Sequence, residues 1–176
     1  MLANRRAIRH PMSDLDQPAP TRASPSPREL PIERLALAAG LEPEELDILK
    51  SLLRRRELNA TEVLFREGDA GDRVYTLAAG AIAIAIRGAD GERCVMTFKP
   101  GSMFGDSTVF DGTPRAATAT AAEDSVVYGL SRRAIDKLAA AYPALAAKVL
   151  LNLGRHLSGR LRQMRDALQK IGGSSG

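Results

Sequence analysis

Between Thr61 and Leu130 glycine and proline cut the chain into short apolar segments at near-regular intervals, and this punctuation constrains the fold more than any other feature. Thr61 to Arg66 reads as a strand closed by Gly68-Asp69 and Gly71-Asp72, Arg73 to Ala78 as a second closed by Gly80, and Ala81 to Arg87 as a third. Gly88-Ala89-Asp90-Gly91 reads as a hairpin turn into Glu92 to Phe98, after which Lys99-Pro100-Gly101 turns the chain again. Beyond Pro114, Ala117 to Ala122 and Asp124 to Leu130 supply two more strands. Strands recurring at roughly 8 to 12 residues predict an antiparallel sandwich or barrel, because a parallel sheet needs crossover helices between its strands.

Helical patterns flank this region. Pro43 at a first-turn position, acids at Glu42, Glu44 and Glu45, and then Leu46, Leu49, Leu52 and Leu53 predict an amphipathic helix that runs through Arg54 to Arg56 and ends near Glu57. Ser131 offers an N-cap hydroxyl to a helix from Arg132 to Ala141, and Pro143 starts a longer one to about Ile171, roughly 43 Å in length. Within it Leu150, Leu157, Met164 and Ile171 fall seven apart, with Leu153, Leu161 and Leu168 beside them. That repeat suits a seam against a partner helix, so a homodimer through residues 143–171 is one reading. Packing on the strands is the other, since Gly154 and Gly159 weaken a free-standing helix.

Residues 1–30 mix Pro, Ser, Ala, Arg and Asp without an apolar period, which predicts a disordered leader. The expected organisation is that leader, a folded unit over 31–142 with its N-terminal and hinge helices, the long helix over 143–171, and a flexible tail, GGSSG, over 172–176. The 176 residues, 44% of them hydrophobic, suffice for one such domain. With no Trp, three Tyr and four Phe, its core is expected to be aliphatic. The single cysteine, Cys94, excludes an intrachain disulfide and reads as a buried thiol on a strand, in keeping with a reducing, cytoplasmic location. Leu77 to Ile86 is too short to span a membrane, and no apolar stretch follows the basic first residues as in a secretory signal.

Several function classes lose support on the same grounds. The two histidines, His10 and His156, cannot build a multi-histidine metal centre, and no glycine-lysine phosphate loop, serine elbow or paired-cysteine motif is present. No enzyme, cofactor or metal is therefore expected. Net charge is only +4, yet from Lys148 to Lys170 there are Arg155, Arg160, Arg162 and Arg165 against one acid, Asp166. This basic helix reads either as a solvated face or as a weak attractor of nucleic acid or anionic lipid.

The chemistry is concentrated in Phe104-Gly105-Asp106-Ser107-Thr108 and, after Val109 to Thr113, in Pro114-Arg115-Ala116-Ala117-Thr118. Gly105 lets backbone approach a ligand closely, and a short helical turn after it would aim N–H groups outward. Ten residues on, the Arg115 guanidinium can fork onto two oxygens of an anion. Asp106 cannot bind phosphate, but it can accept hydrogen bonds from sugar hydroxyls.

These residues resemble the phosphate-binding cassette of the cyclic-nucleotide-binding family, whose pattern is Phe-Gly-Glu followed by Pro-Arg-Ala/Ser-Ala-Thr. LFREGDAGDRVYTLAAGAIAI is similar to that family's strand-turn-strand, and the resemblance covers about residues 41–165. It implies a mainly β fold with flanking helices: a double-stranded β-helix, or jelly-roll-like β-roll, of eight strands with an N-terminal helix, a C-terminal hinge and a long helix. It also implies a site of Phe104, Gly105, Asp106, Ser107, Thr108, Pro114, Arg115, Ala116 and Ala117. Arg115 would pair with the cyclic phosphate, the amides of Ser107, Thr108 and Ala116 would complete the cradle, and Asp106 would face the ribose 2′-hydroxyl. The usual glutamate is here an aspartate, shorter by about 1.5 Å of reach, and Thr108 stands where an alanine is usual. Ala116 lacks the hydroxyl often used for guanine, so cyclic AMP is expected over cyclic GMP. The implied function is a regulatory module that reports nucleotide occupancy to its C-terminal helix, and since similar domains occur fused to enzymes or transporters, the resemblance also implies a regulatory partner protein or a fused enzyme or transporter as an output. A ligand-free interaction module on the same fold is the alternative. The family's helix-turn-helix has no counterpart before Gly176, so sequence-specific DNA binding is not expected.

Overall fold

The computed structural model describes residues 28–89 and 91–172. The leader assigned to residues 1–30 falls largely outside them, as does the GGSSG tail beyond Gly172. Two short 3₁₀ turns, Ile32–Arg34 and Ala36–Ala38, precede helix α1, Pro43–Leu52. Strands β1 (Arg54–Leu58), β2 (Val63–Phe65), β3 (Arg73–Ala79), β4 (Ile82–Gly88), β5 (Gly91–Phe98) and β6 (Met103–Phe104) follow. A one-turn helix, α2 (Ser107–Asp111), leads to β7 (Thr118–Ala121) and β8 (Ser125–Ser131), then to α3 (Arg132–Ala141) and α4 (Pro143–Gly172).

The strands form two four-stranded antiparallel sheets, ordered β1-β8-β3-β6 and β2-β7-β4-β5, which is the expected β-roll. Between the sheets lie Leu58, Leu77, Ile82, Phe98, Phe104 and Val127. A second core joins the helices to the roll, with Leu46 and Leu49 from α1, Ile135 and Leu138 from α3, and Leu145, Val149 and Leu153 from α4. Gly80 sets the close turn between β3 and β4: its φ is +83°, and a Cβ there would lie 2.4 Å from the Asp124 carbonyl.

Three expectations are corrected. The first helix does not reach Glu57, because Arg54–Leu58 is β1, in antiparallel register with β8 from Arg54 opposite Gly129 to Leu58 opposite Ser125. Backbone pairing, not apolar alternation, makes that strand: four of its five residues are exposed. Cys94 is exposed, since β5 is the outer strand of its sheet and only Phe98 of it is buried. The core is also not purely aliphatic, for Phe65, Phe98 and Phe104 gather with Tyr75 in one stack, ring centroids 5.3–6.3 Å apart.

Glu29 accepts from the Tyr128 hydroxyl and from Arg55, and the Leu30 amide donates to the Ala78 carbonyl at 2.9 Å. The long helix packs on the roll with part of its apolar repeat and leaves another part exposed. Leu145, Val149 and Leu153 are buried against the roll, whereas Leu150, Leu151 and Leu161 are exposed; the side chains of Leu168 and Ile171 lie outside the described residues. Its basic charge is partly neutralised within the chain, by Lys148 on Glu45, Arg160 on Asp106 and Arg165 on Asp166. Among the described residues no helix is long and apolar enough to cross a membrane.

Candidate ligand-binding site

The site is built where β6 breaks off. Phe104 is fully inside the roll, and Gly105 takes a positive φ of +69° that turns the chain out of the strand. Asp106 then caps α2, its Oδ1 accepting from the Ser107 amide at 3.1 Å. The return leg, Thr113 to Ala117, carries Arg115 back beneath the turn, where the Arg115 amide donates to the Asp69 carbonyl and the Gly68 amide to the Arg115 carbonyl, both at 2.8 Å. The glycine-aspartate turn after β2 is thus the support for the cassette.

Arg115 is 4% exposed. Its Nη1 donates to the Gly105 carbonyl at 2.7 Å and its Nη2 to the Arg73 carbonyl at 2.9 Å, while Nε has no partner among the described residues. The guanidinium lies 4.1 Å from the Phe65 ring centroid and 5.6 Å from that of Tyr75. Burial pulls its pKa below the ordinary arginine value, against the opposing influence of Tyr75 and Asp72. Space around it is set by two glycines. A Cβ on Gly105 would lie 2.5 Å from Arg115 Nη1, and one on Gly71 would lie 2.7 Å from both Arg115 Nε and Thr108 Oγ1.

A cavity of about 170 Å³ opens over this group. Phe104, Gly105, Asp106, Ser107, Thr108, Arg115, Ala116 and Ala117 all line it. Of the residues expected at the site only Pro114 does not, and it stands exposed on the return leg. The cassette supplies the polar side chains of Asp106, Ser107, Thr108 and Arg115, and the wall also takes in Phe65 and Ile84 together with Val95, Met96 and Phe98 of β5.

The structure adds a residue that the sequence reading left on the helix surface. Arg160 of α4 reaches Asp106, its Nη1 3.0 Å from both carboxylate oxygens, and Met164 one turn on lines the cavity mouth. Asp106 is 5% exposed, so Arg160 rather than Arg115 neutralises it. His156, one turn before, has its Nε2 2.9 Å from the Met103 carbonyl. The signal was present in the spacing: Arg160 lies three residues after Leu157 and four before Met164, which puts it on their face of the helix.

A roll of two antiparallel sheets carries a cassette turn holding a buried arginine, with a long helix lying across it, and the chain belongs to the cyclic nucleotide-binding domain family, whose model matches residues 55–142. The chain is similar to the CRP-like cAMP-activated global transcriptional regulator of Mycobacterium tuberculosis, at 28% identity over 138 residues, which are 78% of this chain and 62% of the regulator. It is 33% identical over 119 residues to the Cyclic AMP receptor protein of Thermus thermophilus, covering 67% of this chain and 55% of the receptor. A cyclic nucleotide-binding domain from Methylobacillus flagellatus KT superposes with a TM-score of 0.71 at 27% identity, over 74% of each chain. The chain therefore spans less than two thirds of the length of these curated relatives.

Proposed function

We propose that the chain is a regulatory sensor of a cyclic nucleotide and that it passes occupancy to α4. The observation that carries this reading is the buried Arg115. A guanidinium has five N–H donors, and among the described residues only two carbonyls engage it, so it keeps donors for an anion in the cavity it lines. Following the family resemblance, the amides of Ser107, Thr108 and Ala116 complete the cradle around the cyclic phosphate, and Pro114 shapes the return leg that presents them.

Asp106 is the acceptor for the ribose hydroxyl. The distance lost by having aspartate in place of glutamate matters less when Arg160 holds the carboxylate at the cavity edge. A sugar hydroxyl that bonds Asp106 shares it with Arg160, so filling the cavity changes what holds α4 on the roll. Ligand then acts by binding one setting of the helix better than another. Ala116 supports cyclic AMP over cyclic GMP, because it offers no hydroxyl to a guanine. The exposed Leu150, Leu151 and Leu161 support a homodimer through α4 as the output.

Calorimetric titration with cyclic AMP and cyclic GMP tests the reading. Wild type should bind cyclic AMP more tightly, and Arg115→Ala should weaken it by about 100-fold or more. Sedimentation of the same samples should show a dimer whose stability changes with ligand. No heat at millimolar nucleotide would reject the sensor and leave the ligand-free interaction module.

A further inference from the structure

The cassette touches the C-terminal helices at a second place, away from the cavity. Helix α2 is a single turn in which the Gly112 amide closes back on the Thr108 carbonyl, so the carbonyls that follow have no partner within the helix. One of them is met by a side chain from another element: Arg132 Nη1 donates to the Val109 carbonyl at 2.7 Å. A guanidinium at the carboxyl end of a helix is favourable both as a hydrogen bond and by charge. Arg132 is also the residue at which β8 becomes α3. Its amide donates to the Asp72 carbonyl at 2.7 Å, and Ser131 beside it caps α3 by accepting from the Ala134 amide. The next carbonyl along β3, that of Arg73, is the one that holds Arg115 Nη2.

Arg132 therefore bridges three parts: the cassette helix through its side chain, the start of β3 through its amide, and α3 through its place in the chain. α3 in turn packs on α4 through Ile135, Leu138, Leu145 and Val149. An anion that bonds the remaining donors of Arg115 pulls the guanidinium against the Gly105 and Arg73 carbonyls and so loads both ends of this bridge at once.

We infer that Arg132 is a positioning residue that carries displacement of α2 into the first turn of α3. This inference rests on the sensor reading for its trigger, but the bridge itself exists without ligand. Arg132 lines no part of the cavity, so binding and transmission should separate when it is changed.

The test compares wild type, Arg132→Ala and Arg132→Lys by amide hydrogen exchange with and without cyclic AMP, and measures each dissociation constant by calorimetry. Without ligand, Arg132→Ala should raise exchange at the Gly112 amide, which closes α2 on the Thr108 carbonyl, by roughly tenfold, because the neighbouring Val109 carbonyl loses its charged partner and the turn frays. With ligand, wild type should change exchange in both α2 and the first turns of α3 and α4. Arg132→Ala should bind within about tenfold of wild type and confine the change to α2, and Arg132→Lys should restore the response in α3. If Arg132→Ala does not fold, the lysine and glutamine variants carry the comparison, glutamine being expected to behave as alanine does. A wild-type response in α3 of Arg132→Ala, or unchanged α2 exchange in the ligand-free variant, would overturn the bridge. Failure of wild type to bind nucleotide would overturn the sensor reading instead and remove the trigger, and is read directly from the wild-type titration.

Discussion

A guanidinium with 4% exposure and an unpartnered Nε is costly in a folded chain unless something repays the lost hydration. Here the Gly105 and Arg73 carbonyls and the Phe65 ring do so only in part, which fits the proposed role of this group. Gly71 sets that arrangement from outside the cassette. Adding one methyl there, Gly71→Ala, should push Arg115 and Thr108 off their positions and weaken nucleotide binding by about tenfold, with a smaller loss of stability, checked by calorimetry and thermal melting. A second residue cluster sits at the other end of the chain's path. Arg55 holds the Glu29 carboxyl below the usual range, while burial and the bond to Glu29 push the Tyr128 phenol up to about 12. A raised phenol pKa means stability present below about pH 10 and lost as pH rises through about 12. Tyr128→Phe should cost about 1 kcal/mol at neutral pH, and the difference from wild type in thermal melts should shrink between pH 10 and 12.

At the level of elements, the account turns on α4 being held in two ways. Its first half is fastened by apolar burial, through Leu145, Val149 and Leu153, and by Asn152, whose side-chain amide donates to the Leu37 and Ala39 carbonyls. Its second half is fastened at the cavity by polar contacts, His156 on the Met103 carbonyl and Arg160 on Asp106. Arg160→Ala should leave the first half docked and free the second, raising hydrogen exchange after residue 156 by about tenfold or more with little change around Val149. Equal protection in the two proteins would remove Arg160 from the mechanism. The same division explains what the sequence disclosed about elements. The glycine-bounded strands and the Ser131 cap were legible because turn chemistry and capping are local. β1 was not, because Arg54 to Glu57 carry no apolar alternation and are held in a strand by pairing with β8. Cys94 was misjudged because apolar neighbours indicate burial only inside a sheet, and β5 is an edge.

For the whole molecule, the residues of the cassette from Phe104 to Thr118 could be grouped in advance because they are close in sequence, and eight of the nine residues expected there line one cavity. The closing wall could not. Arg160 meets Asp106 across 54 residues, and β5 meets them only once the roll has formed. The molecule's central claim is that this assembled cavity exists to place a negative group on Arg115. The ¹⁵N-resolved arginine Nε resonances observe that directly, with the Arg115 signal assigned through Arg115→Lys. On adding cyclic AMP the Arg115 Nε resonance should shift and its exchange with water should slow. An unmoved Arg115 resonance at saturating nucleotide would contradict the account.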